Sequence, residues 1–292
     1  ATRASAVEMA ELEKAAVSAG QELGVSMGQS LDAIEALSKA GVTNADIMGG
    51  ALPGALELAA AGNLAVADAA EIASATMTQF GLAGKDVTHI ADLLAAGAGK
   101  AQGEVSDLSM ALKQAGLVAS QTGLSVEDAV GALAAFASAG LLGSDAGTSF
   151  RTMLLRLTPQ SKEAADKMEE LGIKAFDANG EFVGLAKYAQ ILQDRLGGLT
   201  TEQRNSALAT VFGSDSIRAA NILYTQGAKG IEEWTAKVND SGYAAEIARV
   251  RMDNLNGDLT KLGASASNAA NKIGTSLDPV LRGAAQGGRS LL

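Results

Sequence analysis

The sequence predicts an all-α fold of irregular stacked helical hairpins, and three observations support this prediction. Apolar residues recur at spacings of three and four along most of the chain, as they do on the buried faces of helices. Glycine often follows such a stretch, and glycine readily takes the left-handed backbone that ends a helix. The chain has 3 prolines in 292 residues, so long helices can run uninterrupted.

Composition sets the outer limits on function. Hydrophobic residues make up 47% of the chain, which is ample for a core, but aromatics make up 3% and 34 residues are glycine. Small side chains let helices approach closely, although each buries little area. The net charge of −10 argues against a general phosphate-binding surface, so we predict no sequence-specific nucleic-acid binding. The absence of cysteine excludes disulfides, thiolate metal sites and cysteine nucleophiles.

The first segment, 1–23, predicts an N-terminal helix with a heptad-like pattern. Two interpretations remain open here: a coiled-coil contact, or an amphipathic helix that packs on its own domain. The chain starts without methionine and ends abruptly, so we expect a fragment of a longer polypeptide. The residues of the stripe are Thr2, Ser5, Met9, Leu12, Ala16, Ala19 and Leu23.

The second segment, 24–157, predicts a body of degenerate helical-hairpin repeats. Three stretches share an opening glycine, apolar residues at helical spacing and a closing Ala-Gly pair. They run over 24–41, 81–97 and 123–140, and second helices follow near 45–61, 105–120 and 145–157. Repeated hairpins cannot bury their apolar faces alone, so we expect them to stack. Chance similarity among helices rich in Ala and Gly is the alternative.

A structural elbow is predicted inside the third unit. A helix rich in Ala and Leu should stop at Gly140, and Gly140 or Gly143 should have a positive φ. Ser144 or Asp145 can cap the next helix by accepting its free backbone N–H groups. Gly147 should let that helix approach a neighbour closely. The sequence therefore predicts a tight, glycine-lined helical hairpin at this point.

The third segment, 158–239, predicts a helical subdomain with one β-hairpin at 173–183. Alternating residues flank Asn179-Gly180, the pair that tolerates the positive φ angles of a hairpin turn. A Ca²⁺ loop at Asp177, Asn179 and Glu181 fails on the number of ligands. Glycines then separate four predicted helices: Leu185–Leu196, Thr201–Val211, Ser214–Gln226 and Ile231–Val238.

The fourth segment, 240–292, predicts a long helix from Tyr243 to about Ile273 and a flexible tail. A 3.5-residue apolar period keeps one narrow stripe facing a partner, so we predict an oligomer seam, with docking on the chain's own body as the alternative. The seam residues are Ala245, Ala248, Met252, Leu255, Leu259, Leu262, Ala266, Ala269 and Ile273.

Several separated motifs carry a family resemblance. The run Gly140 to Leu157, with Leu171-Gly172-Ile173, Asp177-Ala178-Asn179-Gly180 and Phe212-Gly213, resembles the core region of phage tail tape measure proteins, in consistent order from Gly24 to Leu281. The resemblance implies a structural virion protein that occupies the tail lumen, sets tail length during tube assembly and participates in genome ejection.

The same resemblance implies the partners and the location. Self-association, with three copies as the expected number, would be joined by contacts with tail tube proteins, tail tip or baseplate proteins and tail assembly chaperones. The protein would assemble in the host cytoplasm, meet the host membrane transiently and enter the host envelope on infection. Two alternatives come from other classes: a stand-alone all-α scaffold or adaptor protein, and a tail-associated cell-wall hydrolase.

Catalysis has little support in the sequence. His89 is the single histidine, so two-histidine metal sites are impossible, and no nucleophile elbow lies beside it. We predict no catalytic residue, no cofactor and no metal site. The longest strongly apolar run, Ala129 to Ser144, falls short of the roughly 20 residues of a membrane-spanning helix.

Overall fold

A computed structural model describes residues 5–253 and 262–269, and this part of the chain is helical, as predicted. Residues 262–269 form a separate helical segment. A π-helical turn (Ile47–Ala51) and a 3₁₀ turn (Gly84–Asp86) lie between α-helices of the body. The α-helices within residues 5–253 are α1 Ala6–Glu22, α2 Met27–Lys39, α3 Asn44–Asp46, α4 Leu52–Gly62, α5 Val66–Gln79, α6 Val87–Lys100, α7 Val105–Gln121, α8 Val126–Ser138, α9 Gly143–Leu155, α10 Lys162–Leu171, α11 Leu185–Leu196, α12 Thr201–Val238 and α13 Tyr243–Met252.

Most helix ends in the body share one local structure. At the end of α5, Gly81 has a φ of 65°, and the N–H of Leu82 donates to the carbonyl of Met77 at 2.9 Å. This hydrogen bond satisfies a carbonyl that the helix itself leaves free. The residue that follows the glycine is apolar and turns toward the interior. The same bond follows α2, α4, α7, α8 and α10. It explains why a glycine and then an apolar residue recur along the sequence.

Two helices lie at the centre of the body. In α6, every residue from Ile90 to Ala98 is buried, and in α8 every residue from Ala129 to Ala137 is buried. A helix that is apolar on all sides belongs in a protein interior. Helix α12 packs against both of them. The buried side chains form one continuous cluster from Leu12 to Ala244, and the division into four segments stays a prediction.

The pairing of helices differs from the predicted stacked hairpins. Helix α2 packs most extensively on α5, α4 packs closely on α6, and α7 packs on α9, whereas α8 and α9 touch little. The second predicted unit also ends in the wrong place, because Gly97 lies inside α6. A Cβ there would lie 2.9 Å from Leu108 and 3.0 Å from Val130, so this glycine makes room for neighbours. Faces rich in Ala and Gly are alike, so spacing alone does not select the partner helix.

The predicted β-hairpin at 173–183 is wrong, since no strand forms in the described residues. Phe176 and Phe182 make one isolated antiparallel bridge. The carboxylate of Asp177 accepts the N–H groups of Asn179 at 2.8 Å and Glu181 at 3.0 Å, which closes a compact turn. Helix α11 begins right after Gly184, so the returning chain is too short to pair further.

The predicted helix breaks in the third segment are confirmed. Helix α11 has the predicted bounds, and α12 is interrupted at Gly213 (φ 69°) and Gly227 (φ 62°). Side chains from outside α12 lie against both interruptions, Arg156 just after α9 and Gln193 in α11. The guanidinium of Arg156 lies against Gly213, and Gln193 lies against Gly227 and donates to the carbonyl of Tyr224 at 3.3 Å.

The two terminal helices do not show the predicted heptad packing. In α1, Leu12 and Ala16 are buried against this same chain. Helix α13 ends at Met252, where Asp253 leaves the helical conformation, so the predicted continuous helix to Ile273 is wrong in its described part. The break falls at Asp253, inside the predicted stripe, and Ala244 and Ala248 of α13 are buried against α4 and α6 of the same chain instead.

Candidate interaction surfaces

The predicted elbow is a connection between helices that hardly touch each other. Gly140 has a φ of 82° and ends α8, and Gly143 has a φ of 58° and begins α9. The expected cap by Ser144 or Asp145 is wrong. The N-cap position is Leu142, which makes no side-chain bond, and Asp145 lies 3.5 Å from Arg218 in an ion pair.

The third elbow glycine lies where two helices come closest. A Cβ at Gly147 would be 2.3 Å from the carbonyl oxygen of Ala111, so α9 lies directly on the backbone of α7. The Cβ position of Gly143 is 3.5 Å from a carboxylate oxygen of Asp107. These contacts advance in the same direction along both helices, so α7 and α9 are parallel. Small residues thus bring α9 against α7.

A buried carboxylate anchors the start of α13. Asp92 is 4% exposed, and its two oxygens accept the N–H of Gly242 at 2.7 Å and of Ala244 at 2.9 Å. A carboxylate at a helix N-terminus satisfies free N–H groups and opposes the positive end of the helix dipole. Asp92 was not among the residues predicted from the sequence. The available signal was a single acid inside the apolar run of α6.

The end of α6 holds the same turn from a second side. Lys100 forms an ion pair with Asp240, donates to the carbonyl of Lys237 at 2.9 Å and lies 4.8 Å from the centre of the Tyr243 ring. The ring packs over Gly99, where a Cβ would lie 2.5 Å from the hydroxyl. Helix α6 therefore fixes where the chain turns from α12 into α13.

The predicted seam is divided between different environments. Ala248 is buried with Ala244 in α13, which packs on α4 and α6, while Ala245 and Met252 line a cleft of about 580 Å³ beside α1 and α4. In the segment 262–269, Leu262, Ala266 and Ala269 are exposed. Leu255, Leu259 and Ile273 lie outside the described residues, and the oligomer seam stays a prediction.

The segment 262–269 contacts the chain's own body. Asn268 accepts the N–H of Met27, the first residue of α2, at 2.7 Å, and Ala264 is buried. Ala269, one of the seam positions, lines a cleft with Asn268, Met27 and residues of α1. This part of the chain thus lies beside its own body, and Leu262 and Ala266 are exposed.

The single histidine bridges the starts of two central helices. The Nε2 atom of His89 in α6 lies 2.7 Å from a carboxylate oxygen of Glu127 in α8. Burial raises the pKa of Glu127, but the bonds with His89, its own backbone and Ser125 together bring that pKa below its ordinary value of 4.5. This is a half-buried contact that joins the starts of α6 and α8. Within residues 5–253 and 262–269, no three His, Cys, Asp or Glu side chains are placed to hold a metal ion.

The described helices do not meet the dimensions of a membrane one by one. Among the described residues, no single helix combines the length and the apolar composition that crossing a membrane requires. One pair bent by 115°, Asn44–Gly62 with Val66–Gln79, meets both criteria when its two members are joined.

Comparison with known proteins gives consistent similarities. The sequence profile of the family described as phage-related minor tail protein matches residues 13–213. A tape measure protein of Pneumococcus phage Dp-1 is 33% identical over 279 residues, which cover 95% of this chain and 24% of that protein. A probable tape measure protein of Escherichia phage P2 is 31% identical over 277 residues, which cover 92% of this chain and 33% of that protein.

These relatives are much longer proteins. The chain spans about a quarter to a third of the length of the curated relatives it matches. No solved structure matches the chain significantly.

Proposed function

Because the chain belongs to the phage-related minor tail protein family, we propose that it is the core of a tape measure protein, a structural component of the virion. The tape measure protein that contains this core occupies the tail lumen, guides polymerisation of the tail tube around it, sets tail length and leaves ahead of the genome. The observation that carries this proposal is the alignment over 95% and 92% of the chain with two proteins named for tail measurement.

The proposed partners follow from that place in the tail. The chain contacts copies of itself, with three as the expected number, the tail tube, the tail tip or baseplate and the tail assembly chaperones. It assembles in the host cytoplasm, and during infection it meets the host membrane and enters the envelope. The net charge of −10 suits an occupant that must let DNA follow through the same tube, since acidic surfaces do not bind phosphates.

The fold favours a particular division of labour within the longer protein. A straight helix rises 1.5 Å per residue, so 292 residues in one helix would extend over about 440 Å. Here the helices fold back on one another around one buried cluster. A folded body adds far less length per residue than a straight helix does. We therefore assign the length-setting role chiefly to other parts of the protein, and to this body an anchoring role within the tail.

Purified tails test the location. We expect peptides from this chain in the mass spectra of tails. We also expect them to resist an added protease in intact tails and to become cleavable after genome ejection is triggered. If an antibody against this chain labelled the outside of intact tails, the proposed place in the lumen would be wrong.

Tail length tests the division of labour. Duplicating residues 24–238 in the phage gene should change tail length by much less than 1.5 Å per added residue. A matched insertion of the same length, taken from an extended helical part of the same gene, should lengthen the tail in proportion. If electron microscopy showed equal lengthening by both insertions, this body would be extended in the tail and would contribute to its length like the helical parts.

A further inference from the structure

Helix α13 lies on the body along one narrow line. Within this helix only Ala244 and Ala248 are buried, and they pack on α4 and α6. The two residues are four positions apart, so they lie one above the other on a single stripe of the helix. The side chain of alanine is one methyl group, so this stripe removes little apolar area from water. Apolar burial alone therefore holds α13 weakly.

A cleft runs along each side of that stripe. Ala245 and Arg249 line the cleft of about 580 Å³ beside α1 and α4, whereas Tyr243 and Ile247 line another of about 610 Å³ beside α4 and α6. The first pair follows the two buried alanines by one position, and the second pair precedes them by one position. Within the described part of the chain, neighbouring helices thus support α13 from one side and leave a cleft along each flank.

Polar contacts at the beginning of α13 provide a second attachment. The helix begins after Gly242, which has no side chain to cap it, and Asp92 of α6 accepts the N–H groups of Gly242 and Ala244 instead. Lys100, at the end of α6, pairs with Asp240 just before the helix. We call Asp92 and Lys100 the α6 anchor. These charged contacts all lie at one end of α13.

We propose that α13 is a releasable strap over α4 and α6. The part that contains Ala248 separates first, and the α6 anchor holds the beginning of the helix until the last step. The rest of the body stays folded during this motion, because α4, α6 and α8 share one continuous buried cluster with α12. The α6 anchor sets how often the strap opens.

Separation also removes the conditions that keep α13 helical. The helix has 10 residues, and isolated helices shorter than about 12–15 residues are marginal in water. Full release withdraws the carboxylate of Asp92 from the first N–H groups, which no side chain of α13 caps. The released segment therefore loses its helix, and its amide groups exchange with the solvent. Apolar residues of α4 and α6 become accessible while the body is still folded.

The position of the anchor makes the strap sensitive to tension. The chain continues from Met252 toward Leu292, so a pull through these later residues reaches the C-terminal end of α13 first. Contacts then break one after another toward the α6 anchor, which resists last. A pull on the protein as it leaves a tail would open the strap before it unfolds the body. That circumstance rests on the proposed function, whereas the strap itself does not.

Thiol labelling tests the strap, because the chain contains no cysteine. The variant Ala248→Cys places a thiol under the strap, and the matched control Ala134→Cys places one inside α8; both positions are 0% exposed. We expect iodoacetamide to label position 248 at least about 100-fold faster, since local opening is more frequent than global unfolding. Dilute urea should change the rate at position 248 little and raise the rate at position 134 steeply, because only global unfolding exposes a large surface.

Two further substitutions separate the strap from global stability. In the Ala248→Cys background, Asp92→Asn should raise the labelling rate by about tenfold, because one charged acceptor of the anchor is lost. The matched change Asp68→Asn, on the exposed surface of α5, should leave that rate unchanged. Leu192→Ala in α11 destabilises the closed and the strap-open forms equally relative to the unfolded chain. It should therefore accelerate labelling at position 134 and leave position 248 unchanged.

The opposite outcomes overturn the inference. If position 248 reacted no faster than position 134, or if Leu192→Ala accelerated both alike, α13 would open only when the whole body unfolds. If Asp92→Asn left labelling at position 248 unchanged, the α6 anchor would not control the strap.

Hydrogen exchange of the wild-type chain checks the result without a cysteine under the strap. Peptides from α13 should exchange through an opening that is nearly independent of urea, and peptides from α8 should not; equal urea dependence would again refute the strap. The place of the protein in the tail is decided separately, by the protease-protection experiment.

Discussion

Gly147→Ala is the substitution that tests the α7–α9 contact most directly. The added Cβ would lie 2.3 Å from the carbonyl oxygen and 2.7 Å from the Cα of Ala111. Atoms in contact are normally about 3.5–4 Å apart, so the two helices must separate by roughly 1 Å or more. Alanine favours a helix over glycine by up to about 1 kcal/mol, whereas overpacking costs about 1–3 kcal/mol or more. We expect the free energy of unfolding to fall by about 1–2 kcal/mol.

Urea unfolding followed by circular dichroism measures this change, with the slope checked for constancy. The matched control is Gly28→Ala in α2, where the exposed Cβ would meet nothing closer than the Ser26 hydroxyl at 4.0 Å. That variant should be as stable as the wild type or slightly more stable, because helix propensity acts alone there. If Gly147→Ala were as stable as Gly28→Ala, the close approach of α9 to the backbone of α7 would be refuted.

Three further predictions concern other positions. Gly140→Ala should cost about 1 kcal/mol in a urea titration, because its φ of 82° is strained for alanine while nothing lies within 4 Å of the new Cβ. A loss of more than about 2 kcal/mol would contradict this, since the backbone strain alone cannot supply it. Asp92→Asn keeps one acceptor of two, so stability should fall by about 2 kcal/mol and hydrogen exchange should quicken in α13; unchanged exchange there would show that Asp92 does not anchor the helix. The lowered pKa of Glu127 means that its ionised form stabilises the fold, and this contribution is present above pH 4.5 and lost as the pH falls through the folded-state pKa. The free energy of unfolding of Glu127→Gln should therefore fall less than that of the wild type when the pH is lowered below 4.5.

The helix ends were the most predictable part of the fold. The predicted closing glycines Gly41 and Gly140 carry a local signal, because the left-handed conformation and the inward-turned residue after it depend on a few neighbours in sequence. The breaks at Gly213 and Gly227 were predictable for the same reason. Local chemistry decides these features before any helix meets its partner.

Helix pairing and the anchoring side chains were not predictable in the same way. Nothing local distinguishes the small residues of α9 that meet α7, Gly143 and Gly147, from small residues that would meet α8. Asp92 is an ordinary helical residue in the sequence and acquires its partners from Gly242 and Ala244, far along the chain. The turn at Asp177 failed as a hairpin because the start of α11 limited the length available for pairing, which is a competition between neighbouring elements.

The helices on either side of residue 157 share one interior, and this makes separate unfolding of the predicted segments 24–157 and 158–239 unfavourable. Helix α12 packs on α6, α8 and α9, so its removal would expose the most buried part of the first segment. Side chains as small as alanine bury little area each, so neither half retains a sufficient core alone. We expect one cooperative transition. Hydrogen exchange measured at increasing urea should give the same midpoint for peptides from α8 and from α11. A lower midpoint for α11 would mean that the boundary near residue 157 separates two domains, and that the contact with α12 is an interface between them.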